Sequence, residues 1–314
     1  MRIVIVLNPR AGRFDITSML QSVSEALREI GWIVDVWLTT QPGDMSRLAR
    51  QARDGGAKAV FVAGGDGSLS SAANELAGTD VVLGVLPAGT ANVWASELGL
   101  SPPLHPWSNA LRSAALRQAQ GEVRQVDMGV CNGRRFLLWA GLGLDAHIIS
   151  RVEPRGRFMK RFGRSYYLLA ASWIAISWRG VQMRVKVENT IVEREMLVAV
   201  VTNIRMYGGS FFRLDDAARI DDGKMSLRAF EGHSFLDAYK YLRALVPYYN
   251  IRVPEDHHFV GSRFEVISAR PVNLQLDGEV MGRVERAQIE IERETLNVFV
   301  PRAEIVPIFS NKNT

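Results

Sequence analysis

The sequence predicts two domains: an α/β domain on a parallel sheet flanked by helices over residues 1–125, and a largely antiparallel β domain over residues 126–295. Three observations carry this reading. The 314 residues exceed the usual size of a single domain. Strand-like and helix-like runs alternate in short units through the first third. From about Val123 the texture changes to alternating strands separated by turn residues. No Pro/Gly/Ser linker, repeat or low-complexity stretch parts the halves, so the boundary near residue 125 is a change of texture alone.

In chain order, residues 2–7 read as a buried strand, and Met19, Leu20, Val23, Ala26, Leu27 and Ile30 then recur at helical spacing. Residues 33–38 and 58–62 read as further strands with a helix around 45–52 between them, and 81–86 as a fourth strand. In the second domain, strands are expected at 126–131, 135–140, 181–187, 196–202, 225–230, 259–268 and 272–276. One helix, 235–249, interrupts them, and the run 296–300 could close either sheet.

Composition narrows the function classes. Hydrophobic residues make up 47% and charged residues 23%, which excludes a disordered chain. The single cysteine, Cys131, excludes an intrachain disulfide, and with five scattered histidines it offers no structural zinc cluster. The start, MRIVIVLNP, lacks the three regions of a signal peptide, so a cytoplasmic location is expected. The longest apolar stretch, from Tyr166 to Trp178, is shorter than the roughly 20 residues a membrane-spanning helix needs.

The net charge of +5 is unevenly placed: residues 126–185 carry 10 basic against 3 acidic residues, and the rest of the chain carries no excess of positive charge. The densest part runs from Arg151 to Arg164, with Arg155, Arg157, Lys160 and Arg161 inside it, directly before the apolar stretch. A basic run beside an apolar one suits an anionic membrane surface bound peripherally, although a solvated loop before a core helix has the same composition. No nucleic-acid motif accompanies it, so nucleic acid is not an expected partner. Oligomeric state is open, and a homodimer is compatible with the sequence.

Three glycine-bearing turns each follow a strand of the first domain: Asn8-Pro9-Arg10-Ala11-Gly12, Gly64-Gly65-Asp66-Gly67-Ser68, and Pro87-Ala88-Gly89-Thr90-Ala91-Asn92. Turns at the carboxyl ends of parallel strands share one edge of the sheet, where ligands bind, so the three can converge. Glycines let a backbone approach a phosphate and turn its N–H groups toward it, and a following helix N-terminus adds its dipole. An acid inside such a loop would repel phosphate unless a cation intervened, so Asp66 suggests magnesium. Any one such loop is also met as a tight turn with the acid capping the helix; the three together favour a shared site. A Walker A pattern is absent. Gly141-Leu142-Gly143-Leu144-Asp145-Ala146 matches GxGxxA but lies outside the α/β region and is read as a structural turn.

In the second domain, Leu276-Asp277-Gly278-Glu279 ends a strand with two carboxylates around a glycine. Such a pair could take a proton from a hydroxyl nucleophile and hold a metal, and Asp-Gly is equally a hairpin signal. Asp221-Asp222-Gly223 raises the same two readings, and His257-His258 reads as exposed loop.

NPRAG, GGDGS, LPAGTAN and LDGE, in this order and spacing, resemble the diacylglycerol kinase catalytic-domain family, which includes bacterial soluble lipid kinases and sphingosine kinases. The resemblance covers most of the chain, with Val126-Asp127-Met128-Gly129, Ala140 to Ala146 and Gly208 to Gly223 resembling further family segments. GGDG alone is shared with nicotinamide dinucleotide kinases. The resemblance implies an α/β nucleotide-binding domain, a β-sandwich-like lipid-binding domain, and a C-terminal segment, about 296–314, returning to the first. It also implies a lipid substrate, with ATP and magnesium as the phosphoryl donor. Asn8, Pro9, Arg10, Gly64, Gly65, Gly67, Ser68, Gly89, Thr90 and Asn92 would then line the nucleotide site, with Asp66 holding the magnesium. Glu279 would be the general base with Asp277 in support, and Asp222 would belong to a structural magnesium site. Val93 stands where many members carry an acid.

Overall fold

The computed structural model describes residues 1–12, 16–100, 102, 105, 109–152, 177–208, 212–244, 256–301 and 308–310. The chain divides into two compact units, Met1–Asp127 with Arg293–Phe309, and Met128–Glu292 with Ser310–Thr314.

The first unit is built on β1 (Arg2–Leu7), β2 (Ile33–Leu38), β3 (Ala59–Gly64) and β4 (Val82–Pro87), with α1 (Thr17–Glu29), α2 (Asp44–Asp54), α3 (Asp66–Leu76), the short α4 (Val93–Glu97) and α5 (Ala110–Ala119). These four strands pair in parallel, in the order β4-β3-β1-β2. Strand geometry sends alternate side chains to opposite faces. Ile3, Ile5 and Leu7 accordingly meet Leu20, Val23 and Leu27 of α1 and Leu111 and Ala115 of α5 in one core, while α2 and α3 cover the other face.

The edge beyond β4 is completed from the far end of the chain. There, Val298 pairs in parallel with Leu83, and Phe299 stacks on Phe61 at 5.3 Å and on Trp32 at 5.9 Å. Gly84 makes room for that stack, since a Cβ there would lie 2.5 Å from the Phe61 ring. Gln118 of α5 satisfies the backbone of β4 where the ladder is open, accepting Val85 N–H at 2.9 Å and donating to Val85 O at 2.7 Å.

The second unit contains parts of β5 (Glu122–Cys131) and β15 (Glu279–Val300), together with β6 (Arg134–Phe136), β7 (Trp139–Gly143), α6 (Leu144–Val152), β8 (Val181–Val187) and β9 (Thr190–Thr202). It continues with β10 (Met206–Tyr207), β11 (Phe212–Arg213), β12 (Met225–Glu231), α7 (Phe235–Ala244), β13 (Asp256–Gly261) and β14 (Arg263–Leu276). Its pairings are antiparallel. The long strands β9 and β14 each pair at one end with β8 and at the other with β7. Val185, Met183, Val201, Leu142, Val266 and Leu274 from these four strands meet in a single core.

Several sequence expectations change here. The expected strand at 135–140 is two strands, because Leu137 and Leu138 leave the ladder to bind a buried carboxylate. The expected strands at 259–268 and 272–276 fall in β13 and in one long β14 whose register shifts between Ile267 and Val272. Gly141–Ala146 is not a turn: it closes β7 and opens α6. Gly143 has φ 97° and passes so close to Leu197 that a Cβ would lie 2.5 Å from that residue's carbonyl oxygen. His257 and His258 lie on β13 and not in a loop, with His257 Nε2 2.6 Å from Glu231 and His258 Nε2 3.3 Å from Asp215. The expected helix at 235–249 is described through Ala244. Of the stretch from Arg151 to Arg164, only Arg151 and Val152, which end α6, are among the described residues, and most of the apolar stretch from Tyr166 to Trp178 is outside them too.

The Asp215 cluster makes unit 2 sensitive to acid. Burial opposes the charge of this carboxylate, yet hydrogen bonds from His258, the Ser226 hydroxyl and Ala217 N–H outweigh burial and hold its pKa at about 2 instead of 3.8. A depressed carboxylate stabilises the fold above its unfolded pKa and ceases to do so as pH falls toward its folded pKa. The wild type should therefore lose about 2 kcal/mol of stability between pH 4 and 2 from this group alone. Urea midpoints of wild type and Asp215→Asn, compared at pH 7 and near pH 2, should converge in acid.

Candidate functional site

In the first unit the three glycine-bearing turns meet. Asn8, at the end of β1, donates from Nδ2 to Ser68 Oγ at 3.1 Å, and its backbone N–H reaches Ala63 O at 2.9 Å. Gly64 O accepts from both Ala88 N–H at 3.0 Å and Gly89 N–H at 3.1 Å. The turns approach through backbone alone: a Cβ on Gly89 would lie 2.4 Å from Gly65 Cα, and one on Gly12 would lie 1.9 Å from Ala88 O.

Asn92 closes the third turn. It sits in the left-handed region at φ 51°, accepts Gly89 N–H on Oδ1 and returns Nδ2–H to Gly89 O, both at 2.8 Å. Thr90, in the same turn, is half-buried, whereas Pro9 and Arg10 are exposed. Arg10 N–H is held by Asn8 Oδ1 at 3.0 Å, an Asx turn that shapes the first loop.

Asp66 begins α3, and Gly65 occupies the cap position with no side-chain capping bond. The carboxylate reaches across to the third turn, where its Oδ1 accepts Trp94 N–H at 3.2 Å. Asp66 is half-buried, while Val93 beside Trp94 is 1% exposed. The result is a cradle of backbone amides at a helix N-terminus with one carboxylate on its wall. An amide cradle favours phosphate oxygens, and one carboxylate suits a magnesium ion that keeps water and phosphate as its remaining ligands. Among the described residues, no three His, Cys, Asp or Glu side chains gather as a self-sufficient metal site.

The second unit carries the other sequence candidates. Leu276 pairs with Glu279, so Asp277 and Gly278 form a two-residue hairpin turn, with φ 50° and 87°. Both central residues in the left-handed region match a type I′ turn, which fits the right-handed twist of the strands. Glu279 is exposed at the start of β15. Asp277 is buried, and its oxygens accept three backbone N–H groups: Leu137 at 2.8 Å, Leu138 at 2.8 Å and Trp139 at 3.1 Å. Asp277 N–H answers by donating to Trp139 O at 3.0 Å. Its role in this fold is to tie the turn to the segment before β7. Asp222 accepts Lys224 N–H at 3.0 Å in a tight turn, and the neighbouring Asp221 takes Ser310 N–H at 2.7 Å.

Sequence reasoning did not single out Asp145 or Gln275. Asp145 starts α6 and accepts hydrogen bonds from Gln275 Nε2 and the Tyr207 hydroxyl, each at 3.0 Å. Burial raises its pKa, against the lowering effect of the bonds from Gln275, Ala146 N–H and Tyr207. Gly141 was the available signal, because its missing side chain is the space that this pair occupies.

Two family models match successive parts of the chain. The diacylglycerol kinase catalytic domain matches residues 2–131, and the YegS C-terminal NAD kinase β-sandwich-like domain matches residues 140–300. A diacylglycerol kinase of Bacillus subtilis is 26% identical over 95% of this chain and 96% of its own length. The lipid kinase YegS of Escherichia coli is 28% identical over 81% of this chain and 82% of its own. A crystal structure of a diacylglycerol kinase from Bacillus anthracis shares the fold, with a TM-score of 0.72 at 18% identity over 97% of this chain and 98% of that one.

Replacing Asp277 by Ala should strip the acceptor from three buried N–H groups. Each such group left unsatisfied costs about 1–3 kcal/mol, so a loss of at least about 3 kcal/mol is expected in urea unfolding. An unchanged midpoint would show that these amides find water instead.

Proposed function

We propose that this chain, which belongs to the family joining a diacylglycerol kinase catalytic domain to a YegS C-terminal domain, is an ATP-dependent lipid kinase. It transfers the γ-phosphoryl group to the hydroxyl of diacylglycerol or a related lipid. The observation that carries this reading is the meeting of the three glycine-bearing turns around Asp66, in a chain whose two halves match this lipid-kinase family.

The chemistry follows from the residues. The amides of Gly65, Gly67, Ser68 and Thr90 would offset phosphate charge, with Gly64 and Gly89 shaping the turns that present them and α3 adding its dipole. Asn8 and Asn92 would keep the turns in register. Magnesium, which Asp66 would hold, supplies charge neutralisation on the phosphates when bound. The Asp222 turn, if it holds a second ion, would have to add backbone carbonyls to its one carboxylate. In the transfer, the lipid oxygen bonds to the γ-phosphorus as the bond from that phosphorus to the bridging oxygen breaks, releasing ADP. Glu279 takes the hydroxyl proton. The basic stretch from Arg151 to Arg164 would draw the enzyme to the anionic surface where its substrate resides.

Incubation with labelled ATP, magnesium and a panel of diacylglycerols, sphingoid bases, phosphatidylglycerol and NAD tests the reading. Label should enter a lipid; label entering NAD alone would make the chain a nicotinamide dinucleotide kinase instead. Asp66→Asn should nearly abolish turnover while unfolding like the wild type, and full activity would remove Asp66 from the site. Glu279→Gln should lower kcat by about 10²–10⁴-fold with little change in the KM for ATP, as expected on losing a general base. A kcat within about twofold would remove Glu279 from the mechanism.

Neutralising Arg155, Arg157, Lys160 and Arg161 together should weaken sedimentation with anionic vesicles, and wild-type binding should fall with salt. Binding indifferent to both would make the stretch an ordinary solvated segment.

A further inference from the structure

The Asp277-Gly278 turn rests on buried polar side chains that a hairpin of this type does not need. An Asp-Gly pair suffices for a type I′ turn. Here Gln275, 0% exposed, accepts Gly278 N–H on its Oε1 at 2.8 Å and donates from Nε2 to Asp145 Oδ2 at 3.0 Å. The same carboxylate oxygen takes the Tyr207 hydroxyl, and the Tyr207 ring stands edge-on to Trp139 at 5.3 Å. Trp139 N–H belongs to the set held by Asp277. The contacts therefore close a circuit from Asp277 through Trp139, Tyr207, Asp145 and Gln275 to Gly278.

The backbone accommodates this circuit. Leu274, Gln275 and Leu276 pair one to one with Leu142, Gly141 and Ala140 of β7 and are all buried, and the register shift opposite Gln275 leaves its extra residue, Met281, on β15. Across the ladder Gln275 pairs with Gly141, where a Cβ would lie 1.9 Å from Asp145 Oδ2 and 2.6 Å from Gln275 Nε2. A leucine at 275 would bury more apolar area without the cost of desolvating an amide. A buried polar network that is fully satisfied fixes one geometry, which is a gain where an exact direction matters. The residue whose direction this circuit sets is Glu279, next after Gly278.

We propose that Gln275 and Asp145 are positioning residues for the phosphoryl transfer: by holding Gly278 N–H they fix the direction in which Glu279 leaves the turn. The proposal rests on the lipid-kinase reading above and adds residues that act through Glu279.

The test uses the full-length protein with two readouts, one of which does not depend on catalysis. Gln275→Leu should speed hydrogen exchange of the Gly278 amide, followed by NMR in glycine-labelled protein, by about tenfold. It should also lower kcat on the lipid that the panel identifies by about 10-fold to 100-fold, with the KM for ATP unchanged. Tyr207→Phe, which removes one hydrogen bond and little volume, should move both readouts in the same direction by less, and it decides the matter where Gln275→Leu does not fold. Unchanged exchange at Gly278 would overturn the proposal whatever the activity. Faster exchange with unaltered kcat would also overturn it, because the clasp would then hold the turn without serving Glu279. A wild type that phosphorylates no lipid would sink the kinase reading and, with it, the positioning role, while the exchange data would still report whether the clasp exists.

Discussion

The meeting of the three turns in the first unit depends on contacts in which no side chain fits. Gly65 and Gly89 come together backbone to backbone, and Gly12 meets the carbonyl of Ala88 in the same way. At Gly89 and Gly12 only glycine permits this approach, because a Cβ there would overlap main-chain atoms that cannot rotate aside, whereas one on Gly65 would crowd Gly89 Cα at 3.3 Å. Once the turns are that close, Gly64 O can take two N–H groups, Asn8 can reach Ser68, and Asp66 can reach Trp94. The parallel sheet brings the ends of β1, β3 and β4 to one edge, and the glycines let the three turns there meet backbone to backbone.

The second unit solves a different problem. Its candidate base is exposed on a hairpin, and a hairpin end has few packing contacts to hold it. The fold answers with carboxylate and amide groups buried beneath the turn: Asp277 binds the N–H groups of Leu137, Leu138 and Trp139, and Gln275 takes the Gly278 N–H. Burying polar groups is costly unless they are paired, and here each is paired to backbone or to another buried side chain. Gly141 is the glycine of this unit that corresponds in purpose to Gly89, since both leave space that a neighbouring element fills.

Much of this was legible in the sequence, and the gaps have physical causes. β1 and β2 keep the bounds read from the sequence, because apolar runs, broken only by Asp35 in β2, lie between turn residues. The glycine-bearing turns were legible because glycine in that pattern has few other uses. The strand Glu279–Val300 was not, since its 22 residues carry charges at most outward positions and only its apolar end at 296–300 stood out. α5 and α6 were missed too: α5 contains four alanines, which carry a weak periodic signal, and α6 follows directly on a strand with no turn residue between. The histidines of β13 looked like loop because their partners, Glu231 and Asp215, are remote in sequence. The Asp145–Gln275 pair was invisible for the same reason, lying 130 positions apart.

The phosphate site proposed for the three turns needs the Gly65–Gly89 approach for its shape. Calorimetric titration of ATP-magnesium into the wild type and into Gly89→Ala tests it most directly, with thermal unfolding of both as the control for folding. The wild type should bind, and the variant should bind at least about tenfold more weakly, a difference of about 1.4 kcal/mol, while unfolding cooperatively. Equal affinity in the two proteins, or no binding by the wild type, would place phosphate binding elsewhere than in these turns.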